Sequence, residues 1–209
     1  SEINLYAYAK VRKNQCFLEI AKSSSAYNQY AFTLQTGLRA GELIGLRWSD
    51  IDLDNKIIHV KRTMRYDSRS KTWLTGGPKT ANSILEVPLT QEAVSILMKQ
   101  KEQNKTLKVI SIEYSDLVFL HSNGAPRSNQ SYDINIRRLC KKAGMREISM
   151  HILRHTFATR CIESGMRPKT LQMILGHANI SMTMDRYVHV TDDEKTKELE
   201  NIEAGLKVI

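Results

Sequence analysis

Cysteine is scarce in this sequence and poorly placed for cross-linking. Cys16, Cys140 and Cys161 are the only three, widely separated and odd in number, and no Cys-x-x-Cys pair occurs. That pattern disfavours a disulfide framework and a structural zinc site, and it fits a reducing compartment. No apolar run approaches the roughly 20 residues needed to span a bilayer. The opening stretch "SEINLYAYAKVRKNQ" has no apolar secretory core, and it also lacks an initiator Met, the pattern of a fragment or a processed chain. The familiar catalytic loops are missing too: there is no Walker loop, no GxGxxG, no HExxH and no GxSxG, so nucleotide-fold, zincin and serine-hydrolase chemistries lose their usual markers. Asp50, Asp52 and Asp54 resemble the start of a calcium loop, but no Gly follows in register and no Glu closes it. A turn accounts for them better.

The rest is ordinary globular composition with a basic bias. The chain has 209 residues, 41% hydrophobic and 25% charged, enough for one large domain or two small ones with a real core. Lys and Arg number 31 against 22 acidic residues, a net charge of +9. Such a balance favours a polyanionic partner through phosphate neutralisation; a merely solvated basic surface is the plainer alternative.

Periodicity and punctuation predict an α+β protein, mostly helical with one small antiparallel sheet or hairpin. Val11 to Lys22 reads as a short helix. Ser23–Ser25 offer capping hydroxyls for a second helix through about Gln35, which Gly37 stops. "KIIHVKRTMRY" and "SILEVPL" have strand texture, separated by loop chemistry around Gly76, Gly77 and Pro78. Gln91 to about Gln103 reads as a helix and "DLVFL" as a short apolar strand or buried segment. From Gln130 to Ala143 the apolar residues Tyr132, Ile136, Leu139, Cys140 and Ala143 share one helix face. Arg137, Arg138, Lys141 and Lys142 then face solvent or a polyanion. A helix from His151 to Ser164 follows, then one begun by Pro168 and broken at Gly176. A short helical segment carries Tyr187, and Asp192 to Ala204 forms a charged C-terminal helix.

Several side chains could serve phosphate chemistry. His151 and Arg154 lie three apart on one helix face. Arg presents a planar, permanently charged fork that suits phosphate oxygens, and His exchanges protons near neutrality. Arg39 follows a Gly near a helix start, and a salt bridge to Glu42 would be compatible with holding it for a substrate. Lys79 sits in a loop that could carry it over a ligand, with Lys61 and Lys71 as competitors. His177 follows the Gly176 break, and Tyr187 lies ten residues on. A tyrosine of pKa about 10 is a poor nucleophile unless cations surround it. For each of these positions the structural alternative is a surface pair, an exposed lysine or a packed aromatic.

Taken together, "TGLRAGEL", "PKTANSILEVPL" and "HILRHTFATRCIESGMRPKTLQMILGHANISMTMDRYVH" resemble, in order and spacing, the catalytic domain of the tyrosine recombinases, the phage-integrase family. The likeness runs from about Phe17 to His189 and looks most like the integrases of conjugative transposons and temperate phages of Gram-positive bacteria. It implies that Arg39 and Arg154 clamp a scissile phosphate, with His151 and His177 completing the donor shell. Glu42 would support Arg39, Lys79 would protonate the leaving 5′-oxygen, and Tyr187 would form a 3′-phosphotyrosyl intermediate. It further implies double-stranded DNA as substrate, no metal and no cofactor, a homotetramer on DNA with tails exchanged in trans, an excisionase as accessory protein, and a bacterial, nucleoid-associated cytoplasmic location. Residues 1–209 would then be the catalytic domain, with about 1–12 a linker remnant, about 191–209 a tail, and the N-terminal core-binding domain absent. Leu85 departs from the pattern, since many relatives carry a basic residue there.

Two alternatives share the basic charge. "KTLQMILGHANISMTMDRY" also reads as a helix-turn-helix of a non-catalytic DNA-binding module, with Ser181 to Tyr187 as recognition helix. That reading leaves Arg39, Arg154 and Lys79 without a joint purpose. A type IB topoisomerase would use related chemistry without paired sites.

Overall fold

The computed structural model describes residues 17–77 and 84–176. After a helical turn at 17–21, the helices are α1 (Tyr27–Thr36), α2 (Ala40–Ile44), α3 (Gln91–Lys105), α4 (Asn129–Lys142), α5 (Met150–Glu163) and α6 (Pro168–Leu175). The strands are β1 (Ile51–Asp52), β2 (Ile57–Val60), β3 (Thr63–Asp67), β4 (Thr72–Gly76) and β5 (Leu85–Pro88). This is the α+β architecture the sequence predicts.

Helix α1 is the central post. Its residues are buried almost all round, including Asn28, Gln29, Thr33 and Thr36, and it packs against α3 and α5. The two threonines satisfy their hydroxyls on the carbonyls four residues back, Gln29 and Phe32. Phe17, Tyr30, Phe32, Phe119, Tyr132 and Leu153 fill the core around it. Other helices start where a hydroxyl can take an orphan N–H. Thr90 caps α3, Ser128 caps α4 and Ser149 caps α5. Pro168 opens α6, and the left-handed Gly176 closes it.

The sheet differs from the expectation of one sheet or one hairpin. β1, β2 and β5 form a three-stranded antiparallel sheet, while β3 and β4 pair separately as a hairpin. The cause lies between β2 and β3. Arg62 turns inward to form a two-pronged ion pair with Asp50 and donates to the Gly45 carbonyl at 3.3 Å. Its side chain comes so close that a Cβ on Gly45 would sit 3.1 Å from Arg62 Cγ. The strand therefore breaks at residues 61–62 and leaves in a new direction.

Smaller expectations shift as well. The start of α1 takes no side-chain cap; Ser24 instead accepts the Ala26 N–H outside it. Ala143 lies exposed just past the end of α4, while Tyr132, Ile136, Leu139 and Cys140 are buried as predicted. In "DLVFL", Leu117 to Leu120 are buried but irregular, touching neighbours through single bridges at Leu117 and Leu120. Arg137 and Arg138 are exposed. Asp52 closes a turn by accepting from Asn55. The expected helices beyond Gly176, and the portion of the first helix before residue 17, lie outside the described residues.

Candidate active site

The site forms where three chain segments meet: the α1–α2 corner, the end of α6, and the strand break at Lys61–Arg62. Gly37 makes the corner possible. Its φ of 66° ends α1, and a Cβ there would run into the ring of Phe157. The turn delivers Arg39 as the residue before α2, with extended backbone.

Glu42, three residues on and buried, accepts the Arg39 backbone N–H at 2.7 Å and the Arg39 Nη1 at 2.7 Å. The carboxylate thus caps the helix and aims the guanidinium. The Arg39 side chain stays 44% exposed, so its charge is available to a ligand.

Arg154 approaches the same carboxylate from below. It is buried on α5, with Nη1 3.7 Å from Glu42 Oε2. The same nitrogen donates to the Gly37 carbonyl at 2.7 Å, and Nη2 donates to the Leu175 carbonyl at 2.8 Å. Both acceptors end helices, where carbonyls lack intrahelical partners and a cation complements the dipole. Arg39 Nη2 also reaches the Gly176 carbonyl at 3.4 Å. Both arginines therefore hold the end of α6, immediately before His177.

Above them opens a cavity of about 190 Å³ lined by Arg39, Glu42, Lys61, Arg62, Leu85 and Gly176, among others. Among its described lining residues are three cations, Arg39, Lys61 and Arg62, and one carboxylate, Glu42, while Asp50 pairs with Lys61 and Arg62. The excess of positive charge in this lining makes the concavity attractive to an anion. Leu85 supplies an apolar wall: a Cβ on Gly176 would meet its side chain at 3.1 Å. This chain thus packs a hydrophobic side chain against the α6 terminus.

The structure brings Arg39, Glu42 and Arg154 together. His151 is exposed on the first turn of α5, its ring 5.5 Å from that of His155 and tilted edge-on. Lys79, His177 and Tyr187 lie outside the described residues, as does the second half of the helix-turn-helix reading. Sequence reasoning missed the partnership of Asp50 with Arg62. Its signal was present: Asp50 stands three residues after Arg47, as Glu42 does after Arg39, and it accepts the Arg47 N–H at 3.1 Å.

The fold and site together define a tyrosine-recombinase type of catalytic domain. The structure superposes on the Tn1549 transposon integrase in complex with transposon right end DNA with a TM-score of 0.81 and 30% identity, over 92% of this chain and 64% of that one. Residues 11–194 match the phage integrase family, and the chain belongs to it. It is 32% identical to the transposase from transposon Tn916 of Enterococcus faecalis over 96% of its length and 49% of the relative. A tyrosine recombinase XerC-like protein of Caldanaerobacter subterraneus is 29% identical over 97% of this chain and 54% of the relative. The chain thus spans about half the length of these curated relatives.

Proposed function

We propose that this chain carries the strand-cleaving and strand-joining chemistry of a site-specific DNA recombinase, an integrase of a mobile element. The observation that carries the proposal is the pairing of Arg39 and Arg154 on one buried carboxylate beneath a positively charged cavity. Family membership supports it.

In this reading a scissile phosphodiester enters the cavity. Arg39 donates to its non-bridging oxygens from the open side, and the Arg154 charge acts from the floor. Phosphoryl transfer depends mainly on positioning and on stabilising charge at the equatorial oxygens. The Tyr187 oxygen attacks phosphorus, a tyrosyl–phosphorus bond forms, and the bond to the 5′-oxygen breaks. The phenolic proton passes to the histidine shell of His151 and His177, and Lys79 protonates the departing 5′-oxygen. The reverse sequence, with a different 5′-hydroxyl as nucleophile, joins strands. The phosphoester bond is conserved on Tyr187, so no ATP is consumed.

The assembly we propose is a homotetramer on double-stranded DNA, with residues 191–209 exchanged between protomers and an excisionase able to bias direction. Its setting is the nucleoid of a bacterial cytoplasm. Among the described residues, no helix is long and apolar enough to cross a membrane.

The test is covalent capture. Wild-type protein is incubated in EDTA with a random-sequence library of nicked duplexes, and protein–DNA adducts are resolved on denaturing gels. An EDTA-resistant adduct is expected; its absence from every library pool contradicts the proposal.

A further inference from the structure

Lys61 occupies a place whose construction repeats that of Arg39. In both seats a buried carboxylate accepts the backbone N–H three residues before it: Glu42 from Arg39, Asp50 from Arg47. In both, that carboxylate tethers a half-exposed cation at the same cavity. Arg39 is 44% exposed over Glu42, and Lys61 is 42% exposed with its Nζ 3.4 Å from Asp50 Oδ1. The negative charge of Asp50 is already matched by Arg62, which pairs with both of its oxygens and is mostly buried. The Lys61 ammonium is therefore surplus to the ion pair beneath it. It is restrained by Asp50 and lines the same cavity as Arg39.

We propose that Lys61 is a second phosphate seat, binding a phosphodiester next to the one held by Arg39 and so setting the strand's path through the cavity. The inference rests on the DNA-cleaving reading above. It assigns Lys61 to binding and register, distinct from proton donation by Lys79. A cavity of about 190 Å³ is well above the roughly 10–15 Å³ that one water needs, room for more than a single anionic oxygen. A lysine is a compact point charge able to meet a phosphate without bidentate alignment.

The test uses the intact chain and a short random-sequence duplex. Fluorescence anisotropy is recorded across a KCl series for wild type, Lys61→Gln, Lys61→Arg and the control Lys105→Gln, which alters an exposed pair with Glu102 on α3. Losing one phosphate contact should reduce the slope of log K against log [KCl] by about 0.9. We expect that reduction in Lys61→Gln, recovery in Lys61→Arg and the wild-type slope in Lys105→Gln. The thermal midpoint of Lys61→Gln should stay at the wild-type value, because Arg62 continues to satisfy Asp50. Adduct formation on nicked duplex should fall below saturation and recover at saturating DNA. An unchanged slope in Lys61→Gln overturns the proposal, as does an equal loss in Lys105→Gln. Rescue of a Lys61→Gln cleavage defect by a 5′-bridging sulfur also overturns it, because Lys61 would then be the proton donor. Failure of the wild type to bind DNA at all contradicts the DNA-cleaving reading itself, which separates the two failures.

Discussion

Glu42 accepts both the backbone N–H and the guanidinium of Arg39, each at 2.7 Å. One buried carboxylate thereby starts a helix and orients the exposed cation of the site. Its second oxygen also lies 3.7 Å from Arg154 Nη1, so its removal takes a counter-charge away from a buried guanidinium. Breaking a buried pair costs about 3–5 kcal/mol. The half-exposed Arg39 contributes little to that sum, so Glu42→Ala should cost about 3 kcal/mol. Urea denaturation measures it. Glu42→Gln, which keeps an acceptor for the Arg39 N–H, should lose less stability yet still slow adduct formation by misaiming Arg39.

Gly37 is expected to tolerate no side chain. Its φ of 66° disfavours an L-residue, and the added Cβ would collide with Phe157. Backbone strain of about 1 kcal/mol and overpacking of about 1–3 kcal/mol should both appear in Gly37→Ala. Adding Phe157→Leu should recover part of the loss in denaturation experiments by relieving the collision. No recovery would place the cost entirely in the backbone.

Alkali should unfold the core over a defined range. Burial pushes the Tyr30 phenol up from 10.0 to about 12, offset in part by the Asn135 amide that donates to its oxygen at 2.9 Å. The folded state favours the protonated phenol. This contribution is complete below pH 10, where both states are protonated, and it is lost as pH rises from about 10 to about 12. Burial raises Tyr132 in the same direction. Stability measured by urea titration should fall through this window, and Tyr30→Phe should flatten the fall without abolishing it.

Lys79 should be dispensable when the leaving group needs no proton. A 5′-bridging sulfur leaves as a thiolate, whose conjugate acid has a pKa far below that of an alcohol. Lys79→Ala should therefore fail on an ordinary nicked duplex and recover on the sulfur-bridged one. Arg39→Ala should remain impaired on both, because its defect lies in charge stabilisation. Gel-resolved adduct rates distinguish the two patterns.

Much of this was legible in the sequence for identifiable physical reasons. Pro168 and Gly176 mark helix ends through local backbone chemistry, and the structure places ends beside both of them. Helix α1 was legible mainly through its Gly37 stop. It is buried nearly all round, so it has little polar face to contrast with an apolar one. The separation of the hairpin from the sheet was hidden, because it depends on Arg62 meeting Asp50 across twelve residues. At the site, the Arg39–Glu42 pair is local and was anticipated. The depth of Arg154, and its bonds to Gly37 and Leu175, arise only when α1, α5 and α6 pack. Sequence spacing marks a candidate arginine but cannot show which carbonyls it reaches.

The most direct test of the central claim is to locate the covalent bond. Adduct captured from nicked duplex would be digested with nuclease and protease, and the modified peptide sequenced by mass spectrometry. The account predicts a nucleotide joined through its 3′-phosphate to Tyr187, with no such peptide from Tyr187→Phe. A nucleotide on any other side chain, or undiminished adduct in Tyr187→Phe, would contradict it.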